Sequence, residues 1–303
     1  VIFGPLLTLV LVLIVAPVLP GIATRTRALL TGRRGAPVLQ LYRDLGRLVR
    51  KNVVYSRMTT WVFRLGPIVG LATALVAATL LPLDGHRALF SFSGDLVAFA
   101  GLLGLGRFAL VLAGLDTGSS FEGMGASREV TISAFAEPAL FLCFTILVLA
   151  TGEMSLAGML GERLATAWSG AAPSLVLAAA ALFVLALAET CRVPVDDPGT
   201  HLELTMIHEV IVLDHSGPEL AMILFSNAVK LALFGALVVS VLVPRGLLPP
   251  WGAVLVLLGG LIVVAIGVGV VESSMARLRM NRVPQFLVAA SALAIFGVIL
   301  LLR

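Results

Sequence analysis

Lysine is nearly missing from this chain: Lys51 and Lys230 are the only two among 303 residues. Arginine carries almost all the positive charge, and with the abundant alanine, glycine and valine it suggests a GC-rich prokaryotic source. Cysteine is equally scarce. Cys143 and Cys191 stand alone, with no Cys-x-x-Cys pair, so no iron–sulfur cluster or zinc site of the usual kind is encoded. Charged residues make up only 13% of the chain, about half of what a soluble domain carries. No basic segment forms a recognisable nucleic-acid module, so no nucleic-acid partner is expected.

Apolar residues fill the space instead. They make up 59% of the chain, and mean hydropathy is +1.07. A bilayer-crossing helix needs about 20 apolar residues. Eight runs qualify, at about 2–23, 62–83, 95–115, 129–150, 174–190, 218–243, 251–271 and 284–302. They are continuously apolar rather than alternating, which predicts helices and not a barrel. The fold class is therefore all-α, a polytopic membrane protein read as one domain over 1–303. The first run is too long for a cleavable signal and lacks a basic leader. No internal repeat is evident, which weighs against an inverted-repeat transporter.

Charge placement orients the spans. The loop at 24–60 holds Arg25, Arg27, Arg33, Arg34, Arg43, Arg47, Arg50, Lys51 and Arg57. Arg128, Arg192, Arg277, Arg279 and Arg282 fall on the same side if eight spans alternate. The positive-inside rule puts that side in the cytoplasm and both termini outside, in a prokaryotic inner membrane. Within the loop, a Gly-Arg-Arg-Gly-Ala-Pro turn precedes a stretch over 37–51. There Leu41, Leu45, Leu48 and Val49 recur at helical spacing, which predicts an amphipathic helix at the membrane surface. Orientation alone accounts for the charge; docking of a partner is the further reading.

The acidic stretch AETCRVPVDDPGTHLELTMIHEVIVLDHSGPE at 188–219 holds seven of the 17 carboxylates: Glu189, Asp196, Asp197, Glu203, Glu209, Asp214 and Glu219. Three of the four histidines, His201, His208 and His215, lie there seven apart, a spacing that would align them on one helix face. The loop at 189–217 is expected to contain a short helix opened by a Thr200-x-x-Glu203 capping box, and Ser216 is expected to cap the sixth span. His208-Glu209 starts like a zinc-protease motif, but Val212 stands where the second histidine belongs, so no metal site is expected. The glycine-rich run DTGSSFEGMGASRE at 116–129 lacks the Gly-Lys-Ser/Thr ending of a phosphate loop. It reads as a turn between spans, with Ser127 as the next helix cap and Arg128-Glu129 facing a protein.

Three charges sit at membrane depth. By helical rise, Arg107 lies roughly 14 Å, Glu137 roughly 12 Å and Lys230 roughly 18 Å from the loop side. Such groups face the bundle interior and mark ion paths. Pro138 beside Glu137 frees a backbone carbonyl one turn earlier, room for water near the acid. A static ion-pair network that only joins helices is the plainer alternative.

Together these residues resemble the family of H/1-type membrane subunits of respiratory complex I and their hydrogenase relatives. The resemblance rests on Gly32-Arg33-Arg34-Gly35 with Pro37, the 118–129 loop, Glu189-Thr190 with Arg192 and Pro194, and Ser216-Gly217-Pro218. The run VDDPGTHLELTMIHE at 195–209, with Asp116-Thr117-Gly118 and Lys230-Leu231, is similar to the membrane anchor of group 4 [NiFe] hydrogenases, as in formate hydrogenlyase and hydrogenase-4. The resemblance implies a non-catalytic subunit that docks a peripheral redox arm. Its partners would be hydrogenase large and small subunits, an iron–sulfur subunit and antiporter-like membrane subunits. The [NiFe] centre and iron–sulfur clusters would lie in those partners, with no cofactor in this chain. The implied ion path runs through Arg107, Glu129, Glu137, Glu189, Asp196, Asp197, Glu203, Glu209, Asp214, Glu219 and Lys230. Arg25, Arg33, Arg34, Arg43, Arg128, Arg192, His201 and His208 would dock partners. A quinone-binding H-type membrane subunit of NADH-quinone oxidoreductase (complex I) and a stand-alone ion transporter are the competing readings.

Overall fold

The computed structural model describes residues 3–196 and 206–303. Asp197, His201, Glu203 and the capping box at Thr200 lie outside the described residues. Every element within them is helical, as the unbroken apolar runs require.

The first run bends by 40° between α1 (Phe3–Val15) and α2 (Val18–Leu30), the geometry of a broken span or a re-entrant pair. Pro17 sits at the break, where it cannot donate a helical hydrogen bond. The helix runs past residue 23, so Arg25 and Arg27 are helical and the loop starts later than expected. α3 (Gln40–Leu48) is the amphipathic helix. Its Leu41, Leu45 and Leu48 are half-buried, while Arg43 and Arg47 are exposed.

The remaining spans are α4 (Trp61–Leu80), α5 (Asp95–Asp116), α6 (Ser120–Thr151), α8 (Glu162–Glu189), α10 (Gly217–Leu242), α11 (Pro250–Ser274) and α12 (Val283–Leu301). Short α7 (Leu156–Met159) and α9 (His208–Ile211) lie between them. Two spans start well before their apolar runs, α6 at Ser120 and α8 at Glu162. The glycine-rich stretch is thus helix from Ser120 onward, the turn between spans shrinks to 117–119, and Ser127 caps nothing. Packing explains it: a Cβ on Gly125 would meet the Ile207 carbonyl oxygen at 3.0 Å and the Ile211 side chain at 2.9 Å. Bare glycine lets α9 lie against α6, and that contact outweighs poor helix propensity.

α10 is the central helix. It packs on α2, α3, α4, α8 and α11, and 78% of its span is buried, against 28% for α11 or α12. α4 and α5 cross closely because Gly66 faces Ala113 and Gly106 faces Thr73.

Four loops converge at one end of the bundle. Val54 N donates to Ser216 Oγ at 3.3 Å, so Ser216 serves the first loop instead of capping α10. Asp116, ending α5, accepts Thr60 N at 2.6 Å and Phe63 N at 3.2 Å and so caps α4. Arg128 donates to the Met206 carbonyl at 2.6 Å. Asp196 pairs with Arg277 at 3.0 Å, and Arg192 with Glu272 at 3.2 Å. The basic loop, the start of α6, the acidic loop and the segment before α12 thus form one surface.

Candidate functional site

Arg107 is the hub. A Cβ on Gly104, one turn earlier on α5, would stand 3.3 Å from Glu137 Oε1, so bare glycine lets that carboxylate come close to α5. The Arg107 guanidinium, only 7% exposed, donates through Nη2 to both Glu189 oxygens at 2.6 and 2.7 Å. Nη1 donates to Ser133 Oγ at 2.5 Å and lies 3.7 Å from Glu137. Nε lies 3.7 Å from Glu129. Glu129, Ser133 and Glu137 are four apart on α6, so they form one stripe facing α5. Glu189 comes in as the last residue of α8. A fork-shaped cation against several carboxylates is the geometry that only arginine provides.

The stripe reaches from the loop end toward mid-membrane, about 12 Å along α6. Its two ends differ. Glu129 is 14% exposed, whereas the Glu137 side chain is 47% exposed on the flank of the bundle, within one continuous helix that includes Pro138. A carboxylate there needs water or a polar neighbour.

Lys230 does not join this network directly. It is buried on α10, and among the described residues it has no hydrogen bond or ion pair. Its charge acts on Glu129 of the network as well as on His208 and Cys191. The common depth of Arg107, Glu137 and Lys230 was readable; which neighbour each meets depends on how the helices are rotated.

The histidines separate as well, because α9 ends at Ile211. Buried His208 is held down to about 3 by burial and then by the Lys230 charge. Its Nε2 lies 2.7 Å from the Asn227 amide nitrogen, which donates to a neutral ring. His215 stacks on Phe63 with ring centroids 3.9 Å apart, and its Nδ1 lies 3.2 Å from Glu219. Burial lowers its pKa, with Glu219 opposing. Tyr55 of the first loop donates to Glu219 at 2.6 Å. Glu219 therefore belongs to a second cluster with Tyr55 and His215, apart from Arg107.

The other expected site residues have varied positions. Asp196 accepts from Ile207 N at 3.1 Å and His208 N at 3.0 Å, so it caps α9. Glu209 lines a cavity of about 110 Å³ together with Cys191, His208, Asn227, Pro20 and Leu41. Asp214 is exposed, and its N–H is taken by buried Glu122 at 3.2 Å. Arg25 donates to the Gly35 carbonyl at 3.2 Å, while Arg33, Arg34 and Arg43 are exposed at the loop surface. Within this chain Arg192 and His208 are buried and Arg128 is half-buried. Arg192 pairs with Glu272 of α11, His208 with Asn227 of α10 and Arg128 with the Met206 carbonyl, partners that position in the sequence did not reveal.

Sequence reasoning missed Ser133, Asn227 and Cys191. A polar residue four before Glu137 was the available signal for Ser133. Cys191 gave none: its Sγ, a Glu129 oxygen and a His208 nitrogen come from three elements and lie within 4.8 Å of one another.

The NADH dehydrogenase family model matches residues 4–302. Hydrogenase-4 component C of Escherichia coli (strain K12) is 34% identical over 237 residues, covering 78% of this chain and 74% of the relative. Formate hydrogenlyase subunit 4 of the same organism is 31% identical over 304 residues, covering 98% of each. A chain in the structure of the membrane-bound sulfane sulfur reductase, an archaeal respiratory membrane complex, shares the fold with a TM-score of 0.85 at 20% identity, covering 99% of this chain and 98% of that one. The chain belongs to the NADH dehydrogenase family, that of the H/1-type membrane subunits of complex I, and is similar within it to the group 4 hydrogenase membrane subunits.

Proposed function

We propose that this chain is the membrane-anchor subunit of a respiratory-type [NiFe] hydrogenase complex, coupling electron transfer in a peripheral arm to proton or sodium movement. The observation that carries the reading is Arg107, held by Glu189 and Ser133 and flanked by Glu129 and Glu137. This charged row starts beneath the converged loops and ends at a half-exposed carboxylate on the flank.

In this reading the basic loop is cytoplasmic, on the inner membrane of a prokaryote. Its exposed Arg33, Arg34 and Arg43 face the hydrogenase large and small subunits and an iron–sulfur subunit. Those partners carry the [NiFe] centre and the clusters; the chain itself performs no catalysis. An antiporter-like membrane subunit covers Glu137 and continues the row. The alternative, a quinone-binding membrane subunit of NADH-quinone oxidoreductase, draws less support. The cavity beneath α3 measures about 110 Å³, against about 300–1,000 Å³ for pockets that bury organic ligands.

The test is purification of the native complex with Glu189→Gln and Glu129→Gln variants. The expected result is copurification of a [NiFe] large subunit, normal assembly of both variants, and loss of ion movement. A flavin-containing NADH module in its place supports the quinone alternative. A chain that moves ions in isolation supports the stand-alone transporter. Wild-type ion movement in both variants overturns the coupling role.

A further inference from the structure

Cys191 has no part in that reading, yet it occupies a position where the backbone favours another residue. α8 ends in a Schellman motif: Arg192 N donates to the Leu187 carbonyl at 2.8 Å and Cys191 N to the Ala188 carbonyl at 3.2 Å. Cys191 holds the left-handed position of that motif, with φ 54°, where glycine is the usual occupant. It is the one non-glycine residue with positive φ among the described residues. Helix termination therefore does not explain the thiol, and its neighbours become the relevant observation.

Those neighbours are Glu129 of α6 and His208 of α9. The three ligand atoms lie within 4.8 Å of one another. Around a tetrahedral zinc ion such atoms stand about 3.3–3.7 Å apart, given bond lengths of about 2.0–2.3 Å. A shift of about 1 Å closes the set on that geometry, with His208 exchanging its hydrogen bond with Asn227 to free a ring lone pair for the metal. A carboxylate, a thiolate and an imidazole are the donors that favour zinc and its neighbours over calcium or magnesium. Three protein ligands also leave a fourth position open. Cys191 and His208 line the 110 Å³ cavity, so a hydrated ion has an approach.

The local charge suits a divalent ion as well. Glu129, Glu137 and Glu189 share Arg107, and Lys230 is the one further cation acting on Cys191 and His208. Asp196, the other carboxylate acting on Cys191, is paired with Arg277. A divalent ion that displaces the thiol proton to solvent adds one net positive charge to this acidic group.

We propose that Glu129, Cys191 and His208 form a binding site for a thiophilic divalent transition metal of the zinc class. The occupied site holds Glu129 on the metal and withdraws it from Arg107. Inhibition of ion movement by the metal follows from the coupling role proposed above and rests on that reading; the binding itself does not.

The experiment uses Zn²⁺ and the purified full-length chain in detergent, with competition against a chromophoric chelator and zinc-edge X-ray absorption. One equivalent is expected, with one sulfur ligand at about 2.3 Å. Cys191→Gly suits the backbone and removes the thiol, so it should fold at least as well as the parent. It should lose the sulfur signal and weaken binding about 10–100-fold, and His208→Ala should do likewise. No stoichiometric binding, a sulfur-free spectrum, or equal affinity in parent and both variants overturns the site. In the intact complex, Zn²⁺ should inhibit ion movement, and Cys191→Gly should relieve that inhibition while leaving metal-free turnover unchanged. Tight zinc without inhibition removes the withdrawal of Glu129 but keeps the site. Loss of the coupling role in the glutamine variants, by contrast, leaves the binding result untouched.

Discussion

Replacing Arg107 by Met tests whether the carboxylate row depends on one cation. Met keeps most of the volume and removes the charge and all five donors. Glu189 is 8% exposed and bonded through both oxygens to a guanidinium that is 7% exposed, so the pair counts as buried. Removing one partner of a buried pair costs about 3–5 kcal/mol, because the other charge is left uncompensated. Glu137 adds little, about 0–1 kcal/mol, since its side chain is 47% exposed and solvent screens it. The expected loss for Arg107→Met is therefore about 3–5 kcal/mol. Glu189→Gln in the same background removes the orphaned charge and should recover part of it. The coupling between the two changes should be about 1–3 kcal/mol, as for residues in one network. Reversible unfolding in mixed micelles, run on the parent, both singles and the double, reads this directly. Unchanged stability in Arg107→Met, or effects that add within about 0.5 kcal/mol, would falsify the assignment of Arg107 as the hub.

Three further outcomes are expected. Arg33→Ala with Arg34→Ala should weaken association with the peripheral arm, read by subunit stoichiometry after purification, and a cysteine placed at Ala36 should label from the cytoplasmic side only; normal assembly or periplasmic labelling contradicts the docking surface or the topology. His215 has a pKa below the ordinary 6.5, so the unfolded chain takes up a proton that the folded one resists; its contribution to stability is full above about pH 6.5 and falls as the pH drops. His215→Phe, which keeps the stack on Phe63, should flatten that fall, and an unchanged pH profile of unfolding argues against it. Gly125→Ala should cost about 1–3 kcal/mol by forcing α9 off α6, and a parent-like melting curve shows that the contact yields freely.

Seven spans, or eight with the bent first pair counted as one, were legible in the residues because hydrophobicity is a local sum. A run such as 284–302 needs no partner to be recognised as a span, and α12 follows it closely. The amphipathic α3 was legible for the same reason, through the period of Leu41, Leu45 and Leu48. Membrane depth is also local, so Arg107 and Glu137 were placed near one another by counting residues. Helix rotation and crossing are not local. They decide that Arg107 takes Glu189 from α8 as its closest partner, while Lys230 on α10 is buried without an ion pair among the described residues. Close packing between α6 and α9 makes a helix of a glycine-rich stretch that reads as a loop. Convergence of four loops buries Arg192 and His208, which polarity alone places at the surface. The amino-acid sequence by itself determined which stretches are long and apolar enough to cross a membrane. The tertiary structure decided which charges share an interior, because burial obliges each polar group to find partners that only the packed helices supply.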